Sequence, residues 1–246
     1  MKNRTLKPRY LIIAGLLSLA SYGFAQGPVT ITMTDPGNNI VGSVYVDPYF
    51  GTIGNSTVPV AVICDDYADE TYQWESWTAT VTPLSDAGSS KVKWSSGGYT
   101  YTITAPTSYT YTGQPVVQTA YDEAAWLTEQ LLSVYKTDPT SAGQISYALW
   151  AVFDPAALSG VPTAELSGTL NWLNQAQSQT FTSGEFSDIS ILTPVSGSAT
   201  LYGTGMASPQ EFLVRTFEAP ALGLIAINLL GAGVLAWFFR RRPVTN

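Results

Sequence analysis

One cysteine and two aspartates stand together in Val62-Ile63-Cys64-Asp65-Asp66-Tyr67, and Asp69, Glu70 and Glu75 follow closely. A thiol attacks only as its thiolate, which needs a positive neighbour or a helix N-terminus. Two aspartates directly after Cys64 push the other way, so Cys64 is expected to be a small buried hydrophobe at a strand end. The acid run has the oxygen chemistry for Ca²⁺. It lacks the alternating Asp-x-Asp-x-Asp-Gly loop with a distal Glu, and reads as a solvated acidic turn. Glycoside hydrolysis needs two facing carboxylates, and Asp65, Asp66, Glu123 and Asp154 are the candidates. The exposed members of Trp74, Trp77, Trp94, Tyr99 and Tyr101 could stack on sugar rings, although aromatics at strand spacing equally form cross-strand core pairs.

Composition removes many alternatives. The chain has no histidine and one cysteine. Ser-His-Asp triads, Cys-His dyads and imidazole metal sites are therefore excluded, as is an intrachain disulfide. Between residues 26 and 216 four basic residues, Lys91, Lys93, Lys136 and Arg215, face seventeen acids, a balance of −13. Nucleic acid is excluded as a partner, because a phosphate backbone needs basic contacts. No catalytic residue, cofactor or metal is expected.

The elements that must position these residues begin with strands. Val29, Ile31 and Met33 alternate with threonines. Val41 to Val46, Val58 to Ile63, Trp77 to Val81 and Tyr99 to Thr104 carry the same two-residue period. The period changes after Thr119. Ala124, Leu127, Leu131 and Val134 share one helical face over about 120–135, and Thr119 with Asp122 resembles a capping box. Asp138-Pro139 opens a second helix over 139–153, with its stripe at Ile145, Ala148, Leu149 and Val152. Leu166, Leu170 and Leu173 predict a third helix to about Gln177. Strands resume at Phe186 to Leu192, Ala199 to Tyr202 and Phe212 to Val214, with Thr193 to Ser198 as a loop. This order predicts one α+β domain over 26–216: an antiparallel β-sandwich or barrel with an inserted helical lobe.

The two ends speak of export. Lys2, Arg4, Lys7 and Arg9 precede a short apolar run and the small residues of Gly23-Phe24-Ala25, a signal peptide over 1–25 cut after Ala25. Residues 219–239 are almost wholly apolar and long enough for one transmembrane helix, and Arg240-Arg241-Arg242 follow. The positive-inside rule keeps those arginines in the cytoplasm and the domain outside it.

Residues 217–246 resemble a PEP-CTERM sorting signal, which joins a Pro-Glu-Pro motif, one membrane span and an arginine cluster. Here Glu218 and Pro220 stand one residue further apart than in that motif. The resemblance implies membrane insertion, handling by an exosortase, and a destination at the cell surface or in an exopolysaccharide matrix. The stretch around Cys64, with Ile145-Ser146-Tyr147-Ala148-Leu149-Trp150, resembles the thioester-domain superfamily, whose strand-borne cysteine acylates itself on a helical glutamine. That resemblance implies a Cys64–Gln144 thioester. Ser146 occupies the position of the family's glutamine, and Gln144, two residues earlier, points to nearly the opposite side of the helix. No bond between Cys64 and Gln144 is expected. The chain is thus expected to be an exported envelope or matrix protein with a structural or adhesive role, not an enzyme. A covalent thioester adhesin and a secreted carbohydrate-active enzyme are the alternatives.

Overall fold

The computed structural model describes residues 27–215, apart from 91, 95–99, 104–108 and 113–115. The first half holds β1 (Val29–Asp35), β2 (Ile40–Val41), β3 (Val44–Tyr45), β4 (Tyr49–Ile53), β5 (Val60–Cys64) and β6 (Glu75–Pro83), then a 3-10 helix (Leu84–Ser89), β7 (Thr100–Ile103) and β8 (Tyr109–Thr112). Helices α1 (Val117–Val134), α2 (Pro139–Phe153), α3 (Ala156–Gly160) and α4 (Thr163–Ser178) follow, then β9 (Ile189–Pro194), β10 (Thr200–Leu201), β11 (Thr204–Gly205) and β12 (Phe212–Arg215).

Six strands close on themselves in the order β1-β4-β5-β12-β9-β6, because β6 also pairs with β1. Every pairing around the ring is antiparallel. The fold is therefore an α+β antiparallel barrel, the barrel member of the expected sandwich-or-barrel pair. The two halves of the ring read differently in sequence. β1 and β6 alternate between buried and accessible residues, as strands with one wet face must. Phe212, Leu213 and Val214 of β12 and Ile189 to Leu192 of β9 are buried without alternation, because the helices cover that side. Inside the barrel, Trp77 of β6 stacks on Phe212 of β12 at 5.7 Å, and Tyr49 of β4 meets the same ring edge-on at 5.8 Å.

α2 is the hub of the helical layer. Of its last twelve residues only Gln144 is not buried. Asp138 caps it, accepting from the Ser141 N–H at 3.0 Å, with Pro139 at the first position. α2 is anchored to the β layer by three side chains: Trp150 Nε1 donates to the Cys64 carbonyl at 2.9 Å, Tyr147 Oη to Val41, and Ser146 Oγ to Val46.

Several expectations change. α1 begins at Val117, and Thr119 lies in its first turn with no side-chain cap. The helix start is fixed instead by Gln118, whose amide donates to the Leu84 carbonyl and accepts from the Gly88 N–H. The 41–46 stretch is a short hairpin, because Gly42 and Ser43 both take positive φ. Gly42 lies against Tyr147 and the Gly160 carbonyl, so a β-carbon there would sit 2.8 Å from a backbone oxygen. Thr193 and Pro194 belong to β9, and Phe186 precedes that strand in a turn. Among the described residues no helix is long and apolar enough to cross a membrane. The expected span 219–239 lies outside them, as do Ala25, Glu218, Pro220 and Arg240 to Arg242.

Candidate functional site

The strand directions place two features at one end of the barrel. β5 runs parallel to β1, and β6 and β12 run opposite to both. The ends of β1 and β5 and the starts of β6 and β12 therefore lie together. Chain entry at Val29 and exit at Arg215 lie at the other end.

The first feature is a buried polar cluster where β5 ends and β12 begins. Asp65, Asp66 and Glu211 are fully buried. Asp66 Oδ1 accepts from the N–H groups of Ala68 at 3.0 Å and Asp69 at 3.4 Å. Its Oδ2 accepts from the Glu211 N–H at 3.2 Å and contacts Lys93 Nζ, which also reaches Asp69 at 2.5 Å. Glu211 accepts from Tyr121 Oη at 2.5 Å, from the Lys93 N–H at 2.9 Å and from the Thr193 hydroxyl. Gln210 donates to the Asp66 carbonyl at 2.8 Å. Asp65 is the exception, for neither of its carboxyl oxygens has a hydrogen-bond partner among the described residues. Burial, then the charges of Glu211 and Asp66, push its carboxyl well above the usual range, and burial raises Glu211 as well. The three donors on Glu211 favour its anion, whereas for Asp65 burial and the neighbouring acids outweigh its own N–H and the Lys93 charge. Asp65 therefore keeps its proton to higher pH than an ordinary carboxyl does.

This has a measurable consequence. A carboxyl raised in the folded state binds more protons than its unfolded counterpart, so its contribution is full at acid pH and is lost as pH rises towards the folded value. Cys64, raised well by burial and by Asp66, acts in the same direction at higher pH. The denaturation midpoint is expected to be higher near about pH 5 than near about pH 8. A midpoint that rises over that interval would show that the cluster carries its negative charges fully paired.

The second feature is a pair of aromatic turns. Glu75 N–H donates to the Tyr72 carbonyl at 3.0 Å, closing a turn whose third residue, Trp74, has φ +71. That is the position a type II turn reserves for glycine. The buried Glu75 carboxylate fixes the turn by accepting from the Tyr72 N–H at 2.8 Å. Beside it, Leu201 of β10 pairs with Glu75. The next residue, Tyr202, opens the β10–β11 hairpin with φ +50, followed by Gly203 at +79. Trp74 and Tyr202 each lie one residue beyond the last pair of that ladder. They are 50% and 82% exposed.

The other candidates fall elsewhere. Cys64 is buried at the end of β5, its sulfur bonded to the Asp66 main chain and its carbonyl to Trp150. Gln144 faces α4, where its amide donates to Glu165 at 2.6 Å and packs against Gly168. Asp66 and Asp69 share Lys93, Glu70 accepts from the Tyr72 hydroxyl and Glu75 from the Tyr72 N–H, and among the described residues no group of three or more acids or cysteines could hold a metal. Glu123 is buried in α1, and Asp154 accepts from Ala156 N–H at the end of α2. Trp77 is core, and Trp94 stacks on Phe153 at 5.7 Å. Tyr99 lies outside the described residues. A hollow of about 250 Å³ includes Asp122 and Glu185, but each accepts a hydrogen bond from its own turn or helix. No known protein family, curated protein or solved structure matches the chain.

Sequence patterns miss Glu211, Lys93 and Tyr202. Glu211 is a lone acid before a strand, and Tyr121 and Asp66, its partners, are 90 and 145 residues away. Tyr202 stands in a Tyr-Gly turn, which lacks the asparagine or aspartate that usually announces such a hairpin.

Proposed function

We propose that the chain is an exported envelope or matrix protein with an adhesive role, whose barrel tip stacks on uncharged polysaccharide. Its location follows from the sequence at its ends: a signal peptide cut after Ala25, a span at 219–239 and a PEP-CTERM-like tail with Glu218, Pro220 and Arg240 to Arg242 as the elements an exosortase would meet. The observation that carries the adhesive reading is the exposed Trp74–Tyr202 pair. Two bulky aromatics in the left-handed region cost stability, and their rings remain in water. An aromatic ring offers a flat apolar face to the C–H face of a pyranose, with polar edges nearby for the hydroxyls. The acidic balance of the domain opposes polyanions and leaves neutral chains as the fitting class. The tip also lies at the barrel end opposite Val29 and Arg215, where the chain enters and leaves the ring. The buried carboxylates form no open catalytic pair, which favours binding over hydrolysis.

Native electrophoresis of the full chain in detergent, through gels containing hydroxyethylcellulose or alginate, tests this. The neutral polymer is expected to retard the chain and alginate is not. Trp74→Gly and Tyr202→Ala should each weaken retardation by about tenfold or more, with Val58→Ala, at the other end of the barrel, unchanged. Because glycine suits φ +71, Trp74→Gly should keep the melting temperature or raise it by about 2 °C. Retardation that survives both substitutions sinks the adhesive reading. Recovery of the chain from the cytoplasm sinks the location.

A further inference from the structure

Lys93 and Asp66 meet in a setting that an ordinary ion pair does not require. Asp66 is fully buried and its two oxygens are treated differently. Oδ1 lies under two backbone N–H groups, Ala68 and Asp69, an arrangement that stabilises negative charge on that oxygen. Oδ2 meets Lys93 Nζ and the Glu211 N–H. The Asp65 carboxyl, next in the chain to Asp66, is buried and, among the described residues, without a hydrogen-bond partner for either oxygen. Next to Lys93, Trp94 stacks on Phe153 at 5.7 Å and Tyr121 meets Phe153 at 4.8 Å, and the Lys93 side chain is 24% exposed. Asp69 also contacts Lys93, but its side chain is 34% exposed and hydrated.

We propose that Lys93 Nζ and Asp66 Cγ condense into an intramolecular amide, with the buried Asp65 carboxyl as the group that moves the proton. The Lys93 ammonium first gives a proton to Asp66 Oδ2, leaving a neutral amine facing a neutral acid. In a low-dielectric site that exchange is less costly than in water. The Nζ lone pair then attacks Cγ, and the charge that forms on Oδ1 falls under the Ala68 and Asp69 N–H groups. Asp65 gives its proton to the Oδ2 hydroxyl, which leaves as water when the Cγ–Oδ2 bond breaks. The surplus proton on nitrogen returns to Asp65. One ammonium and one carboxylate become one amide and one water, with no external oxidant or activating group. Asp65 is suited to the step because burial and the charges of Glu211 and Asp66 raise its carboxyl well above the usual range. The amide would fasten the segment after the 3-10 helix to the end of β5. The proposal does not depend on polysaccharide binding.

Intact mass spectrometry of the full chain tests it, with Lys93→Arg as the reference. That variant shares both processed ends and keeps the charge that faces Asp66. After correction for the substitution, the wild type is expected to be lighter than Lys93→Arg by one water, and digestion should yield a branched fragment joining Asp66 to Lys93. Asp65→Asn should leave most of the chain at the uncondensed mass while the circular dichroism of the fold is retained. A wild type with its full mass overturns the proposal, as does complete tryptic cleavage after Lys93. A deficit of one ammonia in place of one water overturns it too, because it would join Lys93 to an asparagine or glutamine side chain and not to Asp66.

Discussion

Leu149→Ala will cost about 2–5 kcal/mol of unfolding free energy, and Leu131→Ala a similar amount. Both side chains are essentially inaccessible, Leu149 in α2 and Leu131 on the α1 face that packs against it. The connection Tyr135 to Asp138 is so short that the two helices fold back as an antiparallel hairpin. α2 is enclosed by α1, α4 and the β layer, leaving little freedom to collapse into a cavity. Glu129→Ala is the contrasting case. Helical spacing alone makes Glu129 a free surface residue, but in the fold it takes Arg215 at 2.5 Å. The pair is largely exposed, so its loss should cost about 0–1 kcal/mol. Equilibrium denaturation of the three variants decides the matter. If Glu129→Ala is as damaging as either leucine truncation, α1 does not bury the face that carries Leu131.

Trp77→Ala will be at least as costly, about 3–5 kcal/mol. Trp77 sits on the ladder that closes the barrel, paired with Ile31, and its ring fills the interior against Phe212. Its Nε1 has no hydrogen-bond partner among the described residues, so its contribution is apolar and aromatic. Trp77→Phe should therefore recover more than half of the loss. A denaturant midpoint for Trp77→Ala within error of the wild type would mean that the ring does not lie inside the barrel.

α2 can be read from the chain to the residue, because Asp138-Pro139 is a strong local start signal and Asp154-Pro155 a strong stop. The α+β class follows from the change of period near Thr119. Barrel closure does not: it depends on β6 pairing with β1 on one side and β9 on the other, contacts over 44 or more residues that no local pattern encodes. β4 escapes a reading by period because Tyr49-Phe50-Gly51-Thr52-Ile53 lacks clean alternation. The site is half visible in the chain. Cys64, Asp65 and Asp66 stand out by type, and Trp74 is among the sugar-stacking candidates. Lys93 counts there only as one of four cations, and its meeting with Asp66 is a product of topology.

The placement of both chain connections at one end of the barrel, with Trp74 and Tyr202 at the other, also fixes how the domain carries tension. A pull between the tip and either terminus runs along the strands. Hydrogen bonds in an antiparallel ladder lie perpendicular to the strands. Such a load is therefore shared by a whole row of bonds in shear, and they are not peeled open one at a time. Forced unfolding is governed by the unfolding barrier, so the ring would resist detachment by more than its equilibrium stability alone suggests.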